Sequence, residues 1–265
     1  MNAIRHYLLA LQFFTRVPLG ERVLGWVGYS PALMRAAIGH LPGVGWLVGA
    51  LAALSFAALA LWLPETPMAL LVAAVLSTAL TAGLTGALHE DGLADVADGL
   101  GGDHDKARAL EIMKDSRVGV YGVLALVLAL LSKVSLLALL GQVDLDAACA
   151  GLWGAHVVSR FFPLLVIRLL PYAREGEPSK SQPLVAQMSS AGLAVGLAWN
   201  AGAVALLWAL LPDVAWWAPL LAAALAWAWL WRLYARRLQG FTGDCLGATQ
   251  QVCEIAFYLG LALVL

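Results

Sequence analysis

The 265-residue chain is 62% hydrophobic and only 12% charged, with a mean hydropathy of +0.81 and a formal net charge of −1. Soluble domains are about 45–50% apolar and about 25% charged, so this composition excludes an ordinary soluble globule and points to a polytopic membrane protein. No dense basic cluster is present, which excludes nucleic-acid binding.

The first forty residues carry Arg5, Arg16, Arg22 and Arg35 among apolar neighbours. The stretch "YLLALQFF" is short, is bounded by Arg5 and Arg16, and leads to no small-residue cleavage site, so it does not read as a signal peptide. An interfacial amphipathic helix followed by a loop is expected here, with an additional span or a re-entrant piece as the alternative. A membrane helix needs about 20 apolar residues. Seven runs meet that need, roughly 41–63, 67–88, 118–140, 146–170, 189–211, 214–235 and 246–265. The expected fold is therefore all-α: a polytopic integral membrane helical bundle of about seven spans plus an N-terminal interfacial helix, forming one domain over residues 1–265. Cys149, Cys245 and Cys253 are far apart and form no CxxC pair, so neither a disulfide framework nor a zinc site is expected.

Lysines and arginines set the orientation. The connections near 64–66, 141–145 and 212–213 carry none, whereas the N-terminal segment and segments 89–117, 168–188 and 232–245 hold every basic residue except Lys133 and Arg160. The N-terminus is thus expected inside a bacterial or archaeal cell (inner) membrane, with the C-terminus outside. Trp62, Trp208, Trp216 and Trp217 then mark an outer aromatic belt.

"HEDGLADVADG", residues 89–99, lies at the cytoplasmic end of the second span and carries Glu90, Asp91, Asp95 and Asp98. If the second span continues as one helix through residue 99, at about 100° per residue Asp91, Asp95 and Asp98 share one stripe and Glu90 points elsewhere. Three carboxylates on a stripe repel one another. A multivalent cation would relieve that repulsion, and oxygen-only ligands favour magnesium, calcium or manganese over zinc. Gly92 and Gly99 would let backbone or a bulky substrate come close. The competing reading is a solvated acidic helix end.

Further along, "RALEIMKDSRVGVYG" places Lys114 and Arg117 around Asp115. Cations beside a carboxylate–metal site are what phosphate recognition requires. Asp244, in "GFTGDCLGATQQ", is either an N-cap or a further metal or substrate ligand. His89 adjoins the acids and could contact substrate. Glu254 sits inside an apolar run, as do Lys133 and Arg160, which either neutralise buried acids or bind an anionic group.

The runs "GALHEDGLADVADGLGG" and "RALEIMKDSRVGVYGVLAL" closely resemble the cobalamin synthase family, the adenosylcobinamide-GDP ribazoletransferases. "LQFFTRVP", "HLPGVGWLVGAL", "LPYAREG" and "TGDCLGATQQVCE" agree in the same order, so the resemblance covers essentially the whole chain; "EPSKSQ" at 177–182 is less typical and is given no role. The resemblance implies a magnesium-dependent membrane enzyme that joins adenosylcobinamide-GDP to α-ribazole or its 5′-phosphate, giving adenosylcobalamin or its phosphate and GMP. Spacing by itself indicates only a carboxylate-and-cation site suited to phosphate chemistry.

Both lines together suggest phosphoryl transfer. Magnesium would be held by Glu90, Asp91, Asp95 and Asp98. Asp91, Asp95 and Asp98 would be catalytic, with Asp98 the first choice of base, and His89, Lys114, Asp115, Arg117 and Asp244 would bind substrate. The partners are the two substrates and the lipid bilayer, and a homo-oligomer stays open. "DVADG" also fits the opening of the CDP-alcohol phosphotransferase motif, but Gly102-Asp103 stand where that motif continues with Ala-Arg. A cation-coupled transporter would place its acids near the bilayer midplane, where this chain has only Glu254, Arg160 and Lys133 as material.

Overall fold

A computed structural model describes residues 2–102, 105–174 and 188–265. The tract "EPSKSQ", with Lys180, lies outside the described residues. The described chain is all-α, with no named strand. In chain order the helices are α1 Asn2–Phe14, α2 Glu21–Val27, α3 Pro31–Ile38, α4 Leu41–Trp62, α5 Pro67–Thr85, α6 Leu88–Gly101, α7 Lys106–Ile112, α8 Val120–Val143, α9 Leu145–Val158, α10 Phe162–Leu169, α11 Ser190–Leu210, α12 Trp217–Arg237 and α13 Gly243–Ala262.

Local chemistry sets many of these boundaries. Ser30, Asp105, Asp144 and Ser189 are N-caps whose side chains accept the amide hydrogens of Leu33, Arg108, Ala147 and Gly192. Prolines sit in the first turns of α3, α4, α5 and α10, where a missing N–H costs nothing. Pro163 also explains why the expected span 146–170 comes in two pieces, α9 and α10. It has no amide hydrogen to carry the helical ladder back to Ser159.

Among the described residues five stretches are long and apolar enough to cross a membrane: α4, α5, α8, the α9–α10 pair and α11. Helices α12 and α13 complete the seven expected spans by length, since 21 and 20 residues reach about 30 Å, but they are less apolar. The reason is position. Helix α13 packs against α12, α6, α8, α9 and α10, so its polar side chains face protein rather than lipid. Helix α12 carries four tryptophans and Arg232, Arg236 and Arg237. Helix α1, at 13 residues, is about 20 Å long and too short to cross; it lies on α2, α3 and α4 and buries Leu9, Ala10, Leu11 and Phe14.

Two expectations need correction. Trp62, Trp208 and Trp217 are exposed as an aromatic belt requires, but Trp216 is fully buried and donates through Nε1 to the Leu211 carbonyl at 3.0 Å. The second span also does not run on as one helix through residue 99. Helix α5 stops at Thr85, and Gly86 and Ala87 both adopt left-handed backbone, with φ of 66° and 56°. Glycine adopts this conformation freely, whereas alanine there costs about 1–2 kcal/mol. The acidic stretch therefore forms a separate helix, α6, which is free to turn away from α5 and pack on α8 and α13.

Candidate active site at the crossing of α6 and α13

Helix α6 presents the acids on one side and packs with the other. Gly92, Leu93, Val96, Gly99 and Leu100 are buried, Asp91 is exposed, and Asp95 and Asp98 are half-buried. The glycines serve helix contact rather than substrate approach. A Cβ on Gly92 would lie 2.6 Å from the Asp244 carbonyl oxygen, and one on Gly247 would lie 3.1 Å from the His89 Cα. Without side chains at these points α6 and α13 cross closely, which brings Asp244 up to the acidic stripe. Gly99 gives the same kind of access to Ala109 of α7 and to Met113, which follows that helix.

The carboxylates meet electrostatically. Partial burial, then the charges of Asp244 and Asp91, push the Asp95 carboxyl up to about 7; Arg174 opposes this and Asp98 adds a little to it. Among the described residues Asp95 accepts no hydrogen bond. Asp98 is used differently. Its Oδ2 accepts from the Gly119 amide at 2.7 Å and its Oδ1 from the Gly122 amide at 2.8 Å. It thus caps the N-terminus of α8 from a neighbouring helix, where orphan amides and the helix dipole favour an anion. Gly119 and Gly122 make room for it, because a Cβ on either would overlap the carboxylate.

Glu90 does point away from the stripe, towards α13. Its Oε1 accepts from Gln251 Nε2 at 3.1 Å, and its Oε2 is buried with no partner. Behind it lies a buried polar chain. Gln251 donates to Gln250 Oε1 at 2.9 Å, Gln250 Nε2 donates to Glu254 Oε2 at 2.5 Å and to Ser159 Oγ at 3.0 Å, and Tyr258 donates to Glu254 Oε1 at 2.8 Å. Lys133 Nζ pairs with the same Glu254 oxygen at 2.6 Å, both side chains being at most 2% exposed. Arg160 Nη1 donates to the His156 carbonyl at 2.9 Å. Lys133 and Glu254 are thus partnered with each other, as the neutralising role expected for Lys133 requires.

His89 is buried beside Gly247, and burial, reinforced by the Arg160 charge, holds its imidazole well below the ordinary histidine value. It is a neutral group that can donate from one nitrogen and accept at the other. Asp244 is in the first turn of α13 but is not its N-cap, a position held by Thr242. Its Oδ2 accepts from Thr242 Oγ1 at 3.1 Å and from Arg174 Nη2 at 3.4 Å. Arg174 is brought there by a bridge between the Tyr172 and Phe241 segments, in which Ala173 donates to the Phe241 carbonyl at 2.8 Å and Phe241 to the Pro171 carbonyl at 2.9 Å. Its Nε is buried without a partner.

Two openings flank the stripe. A cavity of about 280 Å³ lies at the Asp91 end, with Asp91, Asp244 and His89 in a mostly apolar wall. A more open cleft of about 650 Å³ lies at the Asp98 end, lined by Asp98, Arg108, Glu111, Asp115 and Arg117. Asp115 receives Arg117 both through the backbone amide, at 3.0 Å, and through a guanidinium pair at 2.6 Å. The pairing holds its carboxyl down to about 2. Lys114 is exposed on the same loop.

Sequence reasoning missed Arg174, although "LPYAREG" was among the matching pieces. It also missed Gln251, for which the only signal was a Gln-Gln pair inside an apolar helix. Among the described residues no three of the site's His, Cys, Asp or Glu side chains form a closed ligand group; the acids are spread along α6 and across to α13. The donor chemistry still suits a hard divalent cation: the donors are all oxygens, one Glu90 oxygen is buried and unpartnered, and the Asp244 and Asp91 charges add to burial in raising the proton affinity of Asp95.

Comparison with known proteins agrees with the motifs. The family model for cobalamin-5-phosphate synthase matches residues 6–262. A curated adenosylcobinamide-GDP ribazoletransferase of Polaromonas naphthalenivorans is 55% identical over 277 residues, covering 100% of both chains. The protein of that name from Albidiferax ferrireducens is 56% identical with 98% of each chain covered, and one from Vibrio cholerae is 41% identical over 96% of this chain and 91% of the relative. No solved structure matches. The chain therefore belongs to the cobalamin-5-phosphate synthase family, transferases of cobalamin biosynthesis.

Proposed function

We infer that this chain joins adenosylcobinamide-GDP to α-ribazole or its 5′-phosphate, releasing GMP and adenosylcobalamin or its 5′-phosphate. The supporting observation is that Asp91, Asp98 and Asp244 all lie within electrostatic reach of Asp95, next to a cleft that carries Arg108 and Arg117. This is the equipment a phosphoryl transfer needs: anionic oxygens for a divalent cation and cations for phosphate. The reaction face is assigned to the cytoplasmic side of the inner membrane, from the distribution of basic residues.

Magnesium is the cation this donor set suits: Glu90, Asp91, Asp95 and Asp98, with Asp244 of α13, would hold it, and it would supply charge neutralisation for the diphosphate and the leaving group. The protein does the rest. Arg117 and Arg108, exchanging their Asp115 and Glu111 partners for phosphate oxygens, hold the diphosphate in the cleft, with Lys114 on the adjoining loop. The ribazole hydroxyl attacks the cobinamide-side phosphorus, a new O–P bond forms, the P–O bond to GMP breaks, and GMP leaves with the bridging oxygen. The hydroxyl proton goes to a carboxylate. Asp98 already accepts two amide hydrogens, so Asp95, which accepts none among the described residues, is the better-placed base.

The direct test is GMP release in liposomes from adenosylcobinamide-GDP and α-ribazole 5′-phosphate with magnesium, with Asp95→Asn beside the parent. GMP and a cobalamin product appearing together, dependent on magnesium and lost in the folded variant, would bear out this assignment. A folded, cation-loaded parent that makes no product would overturn it.

A further inference from the structure

The two openings beside the acidic stripe differ in chemistry, and so do the two substrates. The cavity at the Asp91 end is walled by Phe13 and Phe14 of α1, Ile38 at the end of α3, Leu41 of α4 and Ile167 of α10. The two phenylalanine rings meet edge to face at 4.9 Å. Polar groups enter only on one side, from His89 and Asp91 of α6 and Asp244 of α13. At about 280 Å³ the cavity is at the small end of ligand sites, which run from about 300 to 1,000 Å³. That is room for a flat two-ring group and not for a corrin macrocycle with its peripheral amides. Guanine would also fare badly, because its edge carries several donors and acceptors that an apolar wall leaves unpaired.

We propose that this cavity is the acceptor subsite: it takes the apolar aromatic base of an azole nucleoside and turns its ribose hydroxyls towards Asp91 and Asp95. The proposal rests on the reaction assigned above and adds to it a place for each substrate. An apolar bicyclic base fits the phenylalanine and aliphatic walls. Its one unsubstituted ring nitrogen needs a single hydrogen-bond partner, and His89 is the imidazole in the wall. The sugar then emerges where the polar groups are. Asp91 and Asp98 are seven residues apart, about 10.5 Å along α6, with Asp95 between them on the same stripe. The wider cleft at the Asp98 end, where Arg108 and Arg117 pair with Glu111 and Asp115 at 2.6 Å, is left for the nucleotide-diphosphate substrate, so the attacking hydroxyl and the phosphorus approach the stripe from opposite ends. The family-matching stretch "LQFF", which the catalytic reading leaves without a task, becomes a wall of the acceptor site.

The test uses the full chain in liposomes, with Ile167→Phe to fill the cavity and Phe13→Leu to trim its partly exposed rim. KM is measured separately for α-ribazole and for adenosylcobinamide-GDP, and binding of α-ribazole alone is followed by saturation-transfer NMR. The expected result is a rise of about tenfold or more in the α-ribazole KM for Ile167→Phe, a smaller rise for Phe13→Leu, and an adenosylcobinamide-GDP KM within twofold of the parent. The NMR signal should weaken in the same order. If Ile167→Phe does not fold, Phe13→Leu decides. An active parent whose variants leave the α-ribazole KM unchanged, or move the other KM instead, overturns the subsite. A folded parent that binds α-ribazole through this cavity but releases no GMP overturns the assigned reaction and leaves the subsite standing.

Discussion

Gln251 on α13 donates to Glu90 on α6 at 3.1 Å, and through Gln250 the same chain of hydrogen bonds ends on Glu254, the partner of Lys133. The acidic edge of the protein is therefore tied to an ion pair in the middle of its bundle. An ionised pair at that depth persists only because each member partners the other and further hydrogen bonds satisfy the rest of the carboxylate.

Breaking the pair from one side should be costly. Glu254→Leu leaves the Lys133 ammonium buried without a counter-charge, and an expected loss of about 3–5 kcal/mol follows from such cases. The double variant Lys133→Met/Glu254→Leu should recover part of it, because the Lys133 charge goes with its partner while the buried Arg160 keeps Glu90 as an acidic neighbour. Thermal unfolding in detergent measures both. A double variant as unstable as the sum of the two single variants would show that the pair is not the stabilising unit.

Asp98 should matter to α8 as well as to activity. Asp98→Ala removes the acceptor for two first-turn amides of α8, and loss of an N-cap costs about 0.5–2 kcal/mol. Hydrogen exchange at Gly119–Val123 should speed up while the middle of α8 stays protected. Unchanged exchange at those amides would contradict the capping role.

The close crossing of α6 and α13 predicts an effect of a single methyl group. Gly92→Ala would place a carbon 2.6 Å from the Asp244 carbonyl oxygen, a backbone atom that cannot rotate aside. Overpacking of this kind costs about 1–3 kcal/mol. It should also displace Asp244 from the stripe, so turnover should fall by more than the loss of folded protein explains. Equal losses of both would mean that the spacing of the helices is structural only.

Asp95 gives a pH signature. Its carboxyl sits at about 7 in the folded protein, against about 3.9 in an unfolded chain. Between those values the folded chain holds a proton that the unfolded chain releases, so this group lowers stability as pH rises from about 4 to about 7. Asp95→Asn removes the penalty. Without divalent cations the variant should melt above the parent at pH 8, with the difference much smaller at pH 5 and closing near pH 4, and added magnesium should raise the parent more than the variant. A gap that is the same at both pH values would rule out this origin.

Much of this was legible in the chain itself. A 62% hydrophobic composition with apolar runs of about 20 residues leaves a membrane bundle as the form that satisfies its backbone. The i, i+4, i+7 spacing of Asp91, Asp95 and Asp98 put them on one stripe because a helix repeats every 3.6 residues. Those are local regularities, which sequence records directly. The rest depended on what each helix meets. Whether α5 ran on into α6 depended on left-handed backbone at Gly86 and Ala87. Asp98 became a cap for α8, Glu90 turned to Gln251, and Arg174 reached Asp244 only because helices far apart in sequence pack side by side. Gly92 and Gly99, which in the sequence could admit either backbone or a bulky substrate, proved to be contact points between helices. Periodicity tells which residues share a face; only packing decides what that face touches.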